Sequence, residues 1–142
     1  MLGRRVGDLQ VGEVLGPVEH LLTPFMVREY AHAVEEFSER YHGGDDGTPV
    51  APPTIVHTDK VRLLDTLCPD RSGPARLHLV YDATHHQPVP ASRLLSVTGE
   101  VSERFERKGR DHMVITFEVR DKITGALYTT YRDTTLMGFR PG

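Results

Sequence analysis

Residues 93–121, RLLSVTGEVSERFERKGRDHMVITFEVRD, carry the pattern that decides the fold. Apolar residues and one glycine recur there at every second position, namely Leu95, Val97, Gly99, Val101, Phe105, Met113, Ile115, Phe117 and Val119. A period of two is typical of strands with one buried face. KGR at 108–110 is a turn signal, and KITG at 122–125 is the next. The last three strands are therefore predicted to form an antiparallel meander.

Upstream of this meander the sequence predicts one short strand and two helices. The strand is expected around Glu13–Leu22. A helix is expected over 23–42, with Thr23 as its N-cap and Pro24 at its first position, where proline loses no hydrogen bond. A second helix, more apolar around its circumference and so more deeply buried, is expected over Pro53–Leu67. The chain beyond it reads as strand.

The order strand, helix, loop, buried helix and four long strands predicts an α+β fold, with one antiparallel sheet around a central helix. A chain of 142 residues fits a single domain spanning 1–142. Only 38% of the residues are hydrophobic. One sheet face or edge is therefore expected to need a second subunit to cover it.

Charge and composition exclude several classes of function. The net charge is −3 with acids and bases interspersed, whereas nucleic acid and anionic membranes both favour a basic face. No apolar run approaches the ~20 residues that cross a bilayer, and the N-terminus has no secretory signal pattern. The only cysteine, Cys68, lies in an apolar run and is expected to pack rather than react. A cytoplasmic protein is expected.

The candidate site lies at 37–57, FSERYHGGDDGTPVAPPTIVH. This interval holds two histidines, several acids, a glycine–aspartate run and a doubled proline. The alternative interpretation is a solvated loop between two helices. Histidines elsewhere raise the question of a metal, but the His32–Glu36 pair at helical spacing has no third ligand at a recognisable distance in sequence. No metal is expected.

REYAHAVEEFSERYH at 28–42 followed by VAPPTIVH at 50–57 resembles the MaoC-like hot-dog dehydratases and hydratases. More narrowly, it is similar to single-domain subunits of the fungal-fatty-acid-synthase-like branch. Those sequences read Y-A-x-A-x-G-D-x-N-P, a loop, and then V-A-P-P-T at the start of the central helix. The sheet half is also similar, so the match covers roughly Gly12 to Leu136.

The resemblance implies a dimeric hot-dog fold and an activity on acyl thioesters. The expected activity is that of a (3R)-hydroxyacyl-thioester dehydratase, or in reverse of an enoyl-thioester hydratase. The acyl group would be carried by coenzyme A or by an acyl carrier protein. No cofactor is implied, because proton transfer and carbonyl polarisation suffice. The implied partner is a second hot-dog subunit, in a homodimer or a heterodimer.

The resemblance also assigns candidate catalytic residues. Glu36 takes the position of the family's aspartate, and Tyr41 stands where the hydratases place their histidine, with His42 one step later. Ser38 and Glu39 replace the asparagine and the proline of the family motif. Glu36, His42 and Tyr41 are therefore the catalytic candidates. Their alternative roles are a solvated charge, a cap on helix carbonyls, and a core or tunnel-lining side chain.

Dehydration requires groups that move two protons and donors that stabilise an enolate. A carboxylate and a histidine suit the proton transfers, and the N-terminus of the buried helix offers amide donors with its dipole. Pro52 and Pro53 stiffen that segment, and Thr54 or Ile55 would present the N–H group. Pro53, Thr54, Ile55 and His57 are the candidate substrate-binding residues.

Two further functions fit the same fold. A non-catalytic acyl-binding subunit would complete an active partner's tunnel, and the altered G-D-x-N-P motif favours it. A hot-dog thioesterase would release free thiol from an acyl thioester.

Overall fold

The computed structural model describes residues 3–43 and 48–139, without the side chain of Phe139. In these ranges the chain forms one antiparallel five-stranded sheet in the order β1-β3-β4-β5-β2. The strands are β1 Val14–Leu22, β2 Ala75–His85, β3 Arg93–Arg107, β4 Arg110–Asp121 and β5 Leu127–Phe139. The glycine–aspartate run at 44–47, expected to follow the first helix, lies outside the described residues. Within them, no helix has the length and apolar character to cross a bilayer.

The predicted meander is present, because β3 pairs with β4 and β4 with β5 along most of their lengths. The β3–β4 turn is formed by Lys108 and Gly109, whose φ angles are 53° and 73°. A two-residue loop with positive φ at both positions follows the right-handed twist of the paired strands.

Phe105 was predicted on the wrong face of β3. A β-bulge between Val101 and Glu103 shifts the register, and this reverses the side to which the following residues point. Phe105 consequently stacks on His112, with ring centres 4.8 Å apart, on the face opposite Val101.

The central helix begins as a 3-10 turn at Pro53–His57 and continues as α2, Thr58–Leu67. It packs on the concave face of the sheet, where Leu63 is fully buried. At Gly99 an added Cβ would lie 3.2 Å from both the Leu63 side chain and the Phe117 ring. Glycine at this position therefore lets the helix approach the middle of the sheet closely.

The first helix, α1, spans Pro24–Ala33 and is shorter than the predicted 23–42. Glu35 follows it in the left-handed region with φ 58°. The Glu36 N–H then reaches back to the Ala31 carbonyl at 2.8 Å, which closes a Schellman-type helix end. Glycine normally marks such an end, and its absence here is why the pattern overestimated the helix.

Strand β2 is an unusually exposed edge of the sheet. Among residues 3–43 and 48–139 it pairs only with β5, and its own residues are mostly exposed on both faces. Leu77, Leu79 and Val80 are 41%, 45% and 50% exposed. The opposite edge, β1, is interrupted by a register shift around Pro17, which discourages further pairing. The uncovered sheet edge expected from the sequence is therefore β2.

Candidate active site

Glu36 and His42 lie together on the segment that follows α1. The His42 Nε2–H donates to the main-chain oxygen of Glu36 at 3.1 Å. The Glu36 carboxylate accepts the Ser38 N–H at 3.3 Å and is otherwise exposed. Tyr41 is half-buried, with the Arg40 guanidinium 5.3 Å from its ring centre. The three catalytic candidates thus lie on one short segment, and the side-chain contacts described for them are made within it.

This segment lies against the start of the central helix. The Val50 N–H donates to the Arg40 carbonyl at 2.7 Å. A second contact joins α1 to the 3-10 turn at the start of the central helix. There the hydroxyls of Tyr30 and Thr54 share a hydrogen bond of 2.7 Å. The two parts of the sequence singled out as the candidate site are therefore adjacent in the fold.

A cleft of about 230 Å³ opens beside this junction. We call it the Pro53 cleft; it is lined by Arg40, Val50, Ala51, Pro53, His85, His86, Gln87, Pro88, Val89 and Thr129. The imidazoles of His85 and His86 form hydrogen bonds with the hydroxyls of Thr129 and Thr130, at 3.3 Å and 3.1 Å. The threonines hold both rings at the edge of the cleft.

The two predicted amide donors differ in their availability. The Ile55 N–H already donates to the Pro52 carbonyl at 3.0 Å, so it is not available to a ligand. The Ile55 side chain is buried in the core. Thr54 lies on the exposed side of the turn, and its N–H is the better of the two candidates.

His57 points away from the Pro53 cleft and towards the sheet. Its Nε2–H donates to the Asp133 carboxylate at 3.0 Å; His78 Nε2 lies 3.2 Å from the same oxygen, and the Lys60 ammonium donates to the other oxygen at 2.8 Å. Asp133 is 1% exposed.

One ligand atom from each of His57, His78 and Asp133 lies within 4.8 Å of the others, a donor set that zinc accepts. A metal there would compete with Lys60 for the carboxylate.

A half-buried tyrosine, Tyr81, and a fully buried one, Tyr131, continue from this network into the interior. The Tyr81 ring lies 4.5 Å from His57 and 5.2 Å from Tyr131. Burial, and then the charge of Asp133, raise the pKa of Tyr81 to about 12. Burial and the charge of Asp59 raise the pKa of Tyr131 further above its ordinary value. Both hydroxyls therefore keep their protons at physiological pH.

An apolar cavity of about 270 Å³ lies on the other side of the central helix. We call it the α1 cavity; its lining residues are His20, Leu22, Phe25, Met26, Glu29, Tyr30, Ile55, Val56, Thr58, Asp59, Arg62 and Leu95. Sequence reasoning did not identify His20 as a site residue. The available signal was an aspartate inside a helix that was expected to be buried, where a charge needs a partner.

Cys68 is buried at the end of α2. Burial raises the pKa of its thiol. Because the thiolate is the reactive form, this environment suits a packing residue rather than a nucleophile.

No protein-family model matches the chain, and a search of curated proteins finds no match. Solved structures do match it. The C-terminally truncated HadBC (3R-hydroxyacyl-ACP dehydratase) complex of Mycobacterium tuberculosis aligns with TM-score 0.73 and 24% identity, over 89% of this chain and 96% of that one. A monoamine oxidase regulatory protein from Archaeoglobus fulgidus aligns with TM-score 0.76 and 19% identity, over 99% of both chains.

A MaoC-like dehydratase from Rhodospirillum rubrum aligns with TM-score 0.71 and 16% identity, over 99% of this chain and 100% of that one. The chain therefore has the hot-dog fold of the MaoC-like proteins, which confirms the fold expected from the sequence. The neighbours include both a dehydratase and a protein described as regulatory, so the fold is compatible with more than one role.

Proposed function

We propose that this protein is a (3R)-hydroxyacyl-thioester dehydratase, or in reverse an enoyl-thioester hydratase, that works as one subunit of a two-hot-dog assembly. In dehydration the α-proton is removed, the C=C bond forms, and the 3-hydroxyl is protonated and leaves as water. Hydration adds water to the double bond in the opposite sense. The thioester would be carried by coenzyme A or an acyl carrier protein.

The observation that supports this proposal is the junction between the Glu36–His42 segment and the start of the central helix. The Val50–Arg40 and Tyr30–Thr54 hydrogen bonds join α1 and the segment that carries an acid and an imidazole to the start of the central helix, and Arg40 and Pro53 both line the Pro53 cleft. An acid, an imidazole and a helix N-terminus are the groups that proton transfer and enolate stabilisation require. The fold shared with a 3R-hydroxyacyl-ACP dehydratase is consistent with the assignment.

In the proposed mechanism Glu36 and His42 carry out the two proton transfers. The Thr54 N–H, at the positive end of the helix dipole, donates to the thioester oxygen as the enolate develops. Pro53 forms part of the cleft wall against which the thioester would lie. Tyr41 is assigned to the wall of the channel that would hold the acyl chain of the substrate.

A second subunit is part of the proposal because the proton-transfer groups are accessible to solvent. Glu36 is exposed and His42 is only partly covered. Water competes with substrate for such groups, and its exclusion strengthens the electrostatic interactions in the site. A partner placed over the segment would supply that cover.

Replacing Glu36 by glutamine or His42 by alanine is expected to lower the hydration rate of crotonyl-CoA at least about tenfold, since each removes one proton-transfer group. The rate is followed by loss of the enoyl absorbance. Glu39→Gln is the matched control, because Glu39 lies exposed in the same segment and has no assigned role. Rates within twofold of the control in both variants would contradict the assignment of these residues.

The exposed edge strand predicts where the partner binds. Leu79→Glu is expected to weaken self-association at least about tenfold, because a buried unpaired charge is costly. Sedimentation equilibrium over a range of concentrations measures this. Ile123→Glu is the control, since Ile123 lies 80% exposed in the β4–β5 turn. Equal association of both variants would place the partner elsewhere.

The second candidate is a non-catalytic acyl-binding subunit. It is favoured by Tyr41 at the hydratase histidine position, and by a His42 imidazole that is engaged with a main-chain carbonyl. The two candidates differ in one assay. The enzyme hydrates crotonyl-CoA when purified alone, whereas the binding subunit is inactive until a co-encoded hot-dog partner is added. Release of free thiol in the same assay would identify a thioesterase.

A further inference from the structure

The α1 cavity is apolar over most of its wall. Leu22, Met26, Ile55, Val56 and Leu95 contribute aliphatic side chains to it. Its volume of about 270 Å³ exceeds the roughly 150 Å³ that binds benzene in an engineered apolar cavity. The space therefore suits a compact apolar molecule.

The most deeply buried polar side chains of this wall are His20 and Asp59, whereas Glu29, Thr58 and Arg62 are exposed and Tyr30 is half-buried. The His20 Nε2–H donates to Asp59 Oδ1, and the two side chains are 13% and 2% exposed. Among the residues that the structure describes, His20 Nδ1 and Asp59 Oδ2 are buried and have no hydrogen-bond partner. Buried polar atoms are almost always paired in native proteins, so these two atoms point to a polar group of a bound molecule.

The pairing with Asp59 fixes which hydrogen bond His20 can offer. A carboxylate is only an acceptor, so the hydrogen of the neutral imidazole resides on Nε2. Nδ1 is then a lone-pair acceptor. Nδ1 can accept a hydrogen bond from an O–H group. An ether or carbonyl oxygen has no hydrogen to donate, so its lone pairs would face the lone pair of Nδ1.

We propose that the α1 cavity binds a small alcohol-type ligand, with an apolar body among the aliphatic side chains and a hydroxyl that donates to His20 Nδ1. Phe25 is 70% exposed and, with Arg62, lies on the accessible side of the cavity wall, where such a molecule would enter. The pocket contains none of the residues Glu36, Tyr41 and His42. The proposal therefore does not depend on hydro-lyase activity.

Two isomeric probes test the proposal on the 142-residue chain. n-Octanol and heptyl methyl ether have the same atoms, but only the alcohol donates a hydrogen bond. Calorimetric titration is expected to show the alcohol binding about tenfold more tightly, because the ether leaves Nδ1 unpaired. Equal affinities, or no binding of either probe, would overturn the proposal.

Asp59→Asn separates recognition by His20 from simple filling of an apolar space. An asparagine amide that donates to Nε2 moves the imidazole hydrogen to Nδ1, which becomes a donor. The preference for the alcohol over the ether is then expected to fall from about tenfold to about twofold or less. The nitrogen chemical shifts of His20 report the tautomer directly. An unchanged tenfold preference would contradict the assigned role of the pair.

A second variant keeps the test decisive if Asp59→Asn does not fold. Met26→Trp fills the cavity while leaving the His20 and Asp59 residues unchanged, and it is expected to weaken n-octanol binding at least about tenfold. Val61→Ala is the control, because Val61 is an exposed residue of α2 outside this cavity. Octanol binding retained in a folded Met26→Trp protein would place the ligand elsewhere and overturn the proposal.

Discussion

Replacing Phe117 by alanine is expected to lower the free energy of unfolding by about 3–5 kcal/mol. The Phe117 ring is completely buried, and it stacks on Tyr131 with ring centres 4.8 Å apart. It also lies under Gly99, where the Leu63 side chain of the central helix approaches the sheet closely. A large-to-small change at this point leaves a cavity between helix and sheet that neither element can close.

A loss of this size is a large part of the roughly 5–15 kcal/mol that stabilises a typical domain. Thermal unfolding is expected to shift down by about 10–20 °C. Ile123→Ala, at an exposed turn position, is the control and should change stability by less than about 0.5 kcal/mol. A Phe117→Ala protein as stable as this control would mean that the helix does not pack on the sheet at Phe117.

Asp133→Ala is expected to have a comparable effect, about 3–5 kcal/mol of lost stability. The Asp133 carboxylate accepts hydrogen bonds from His57 and Lys60, and His78 Nε2 lies 3.2 Å from it. The Lys60 side chain is only 12% exposed, so removal of the carboxylate leaves its ammonium without a counterion in a poorly hydrated place. Urea denaturation of the variant and the wild type measures the difference.

Two further variants identify the cause of that loss. Asp111→Ala removes an ion pair with Arg104 at an exposed position and should cost less than about 1 kcal/mol. Asp133→Leu combined with Lys60→Met replaces the buried charges by apolar side chains and should recover most of the stability. A double variant as unstable as Asp133→Ala would show that the isolated charge is not the cause.

Local signals in the sequence predicted most of the elements correctly. Alternating apolar residues gave the β3–β4–β5 meander. Thr23, as N-cap, accepts the Met26 N–H at 3.1 Å, as expected from its position before Pro24. These signals succeed because hydrogen bonding and side-chain direction repeat within a few residues of one another. They failed at the β3 bulge and at Glu35, where one residue departs from the repeat without a glycine to mark it.

The candidate site was predicted less completely. The structure joins the Glu36–His42 segment to Val50, just before the central helix, through the Arg40 carbonyl, and the catalytic roles of Glu36 and His42 stay a prediction. His57, in contrast, was expected at the pocket, but faces Asp133, which lies 76 residues away in sequence. The rotation of a helix about its own axis decides which of its residues faces the sheet. Spacing in the sequence gives only the directions of the helix side chains relative to one another.

The sequence by itself determined the periodicities of this protein, and with them the strands, the buried helix and the α+β class. It also placed the proton-transfer candidates and the proline-led helix start on either side of one loop. Only the tertiary structure decided which polar side chains are paired in the interior, namely His20 with Asp59 and Lys60 with Asp133. The physical reason is that such a pair requires two side chains from distant segments to meet within a few ångströms, and that distance depends on helix rotation and strand register rather than on either segment's own pattern.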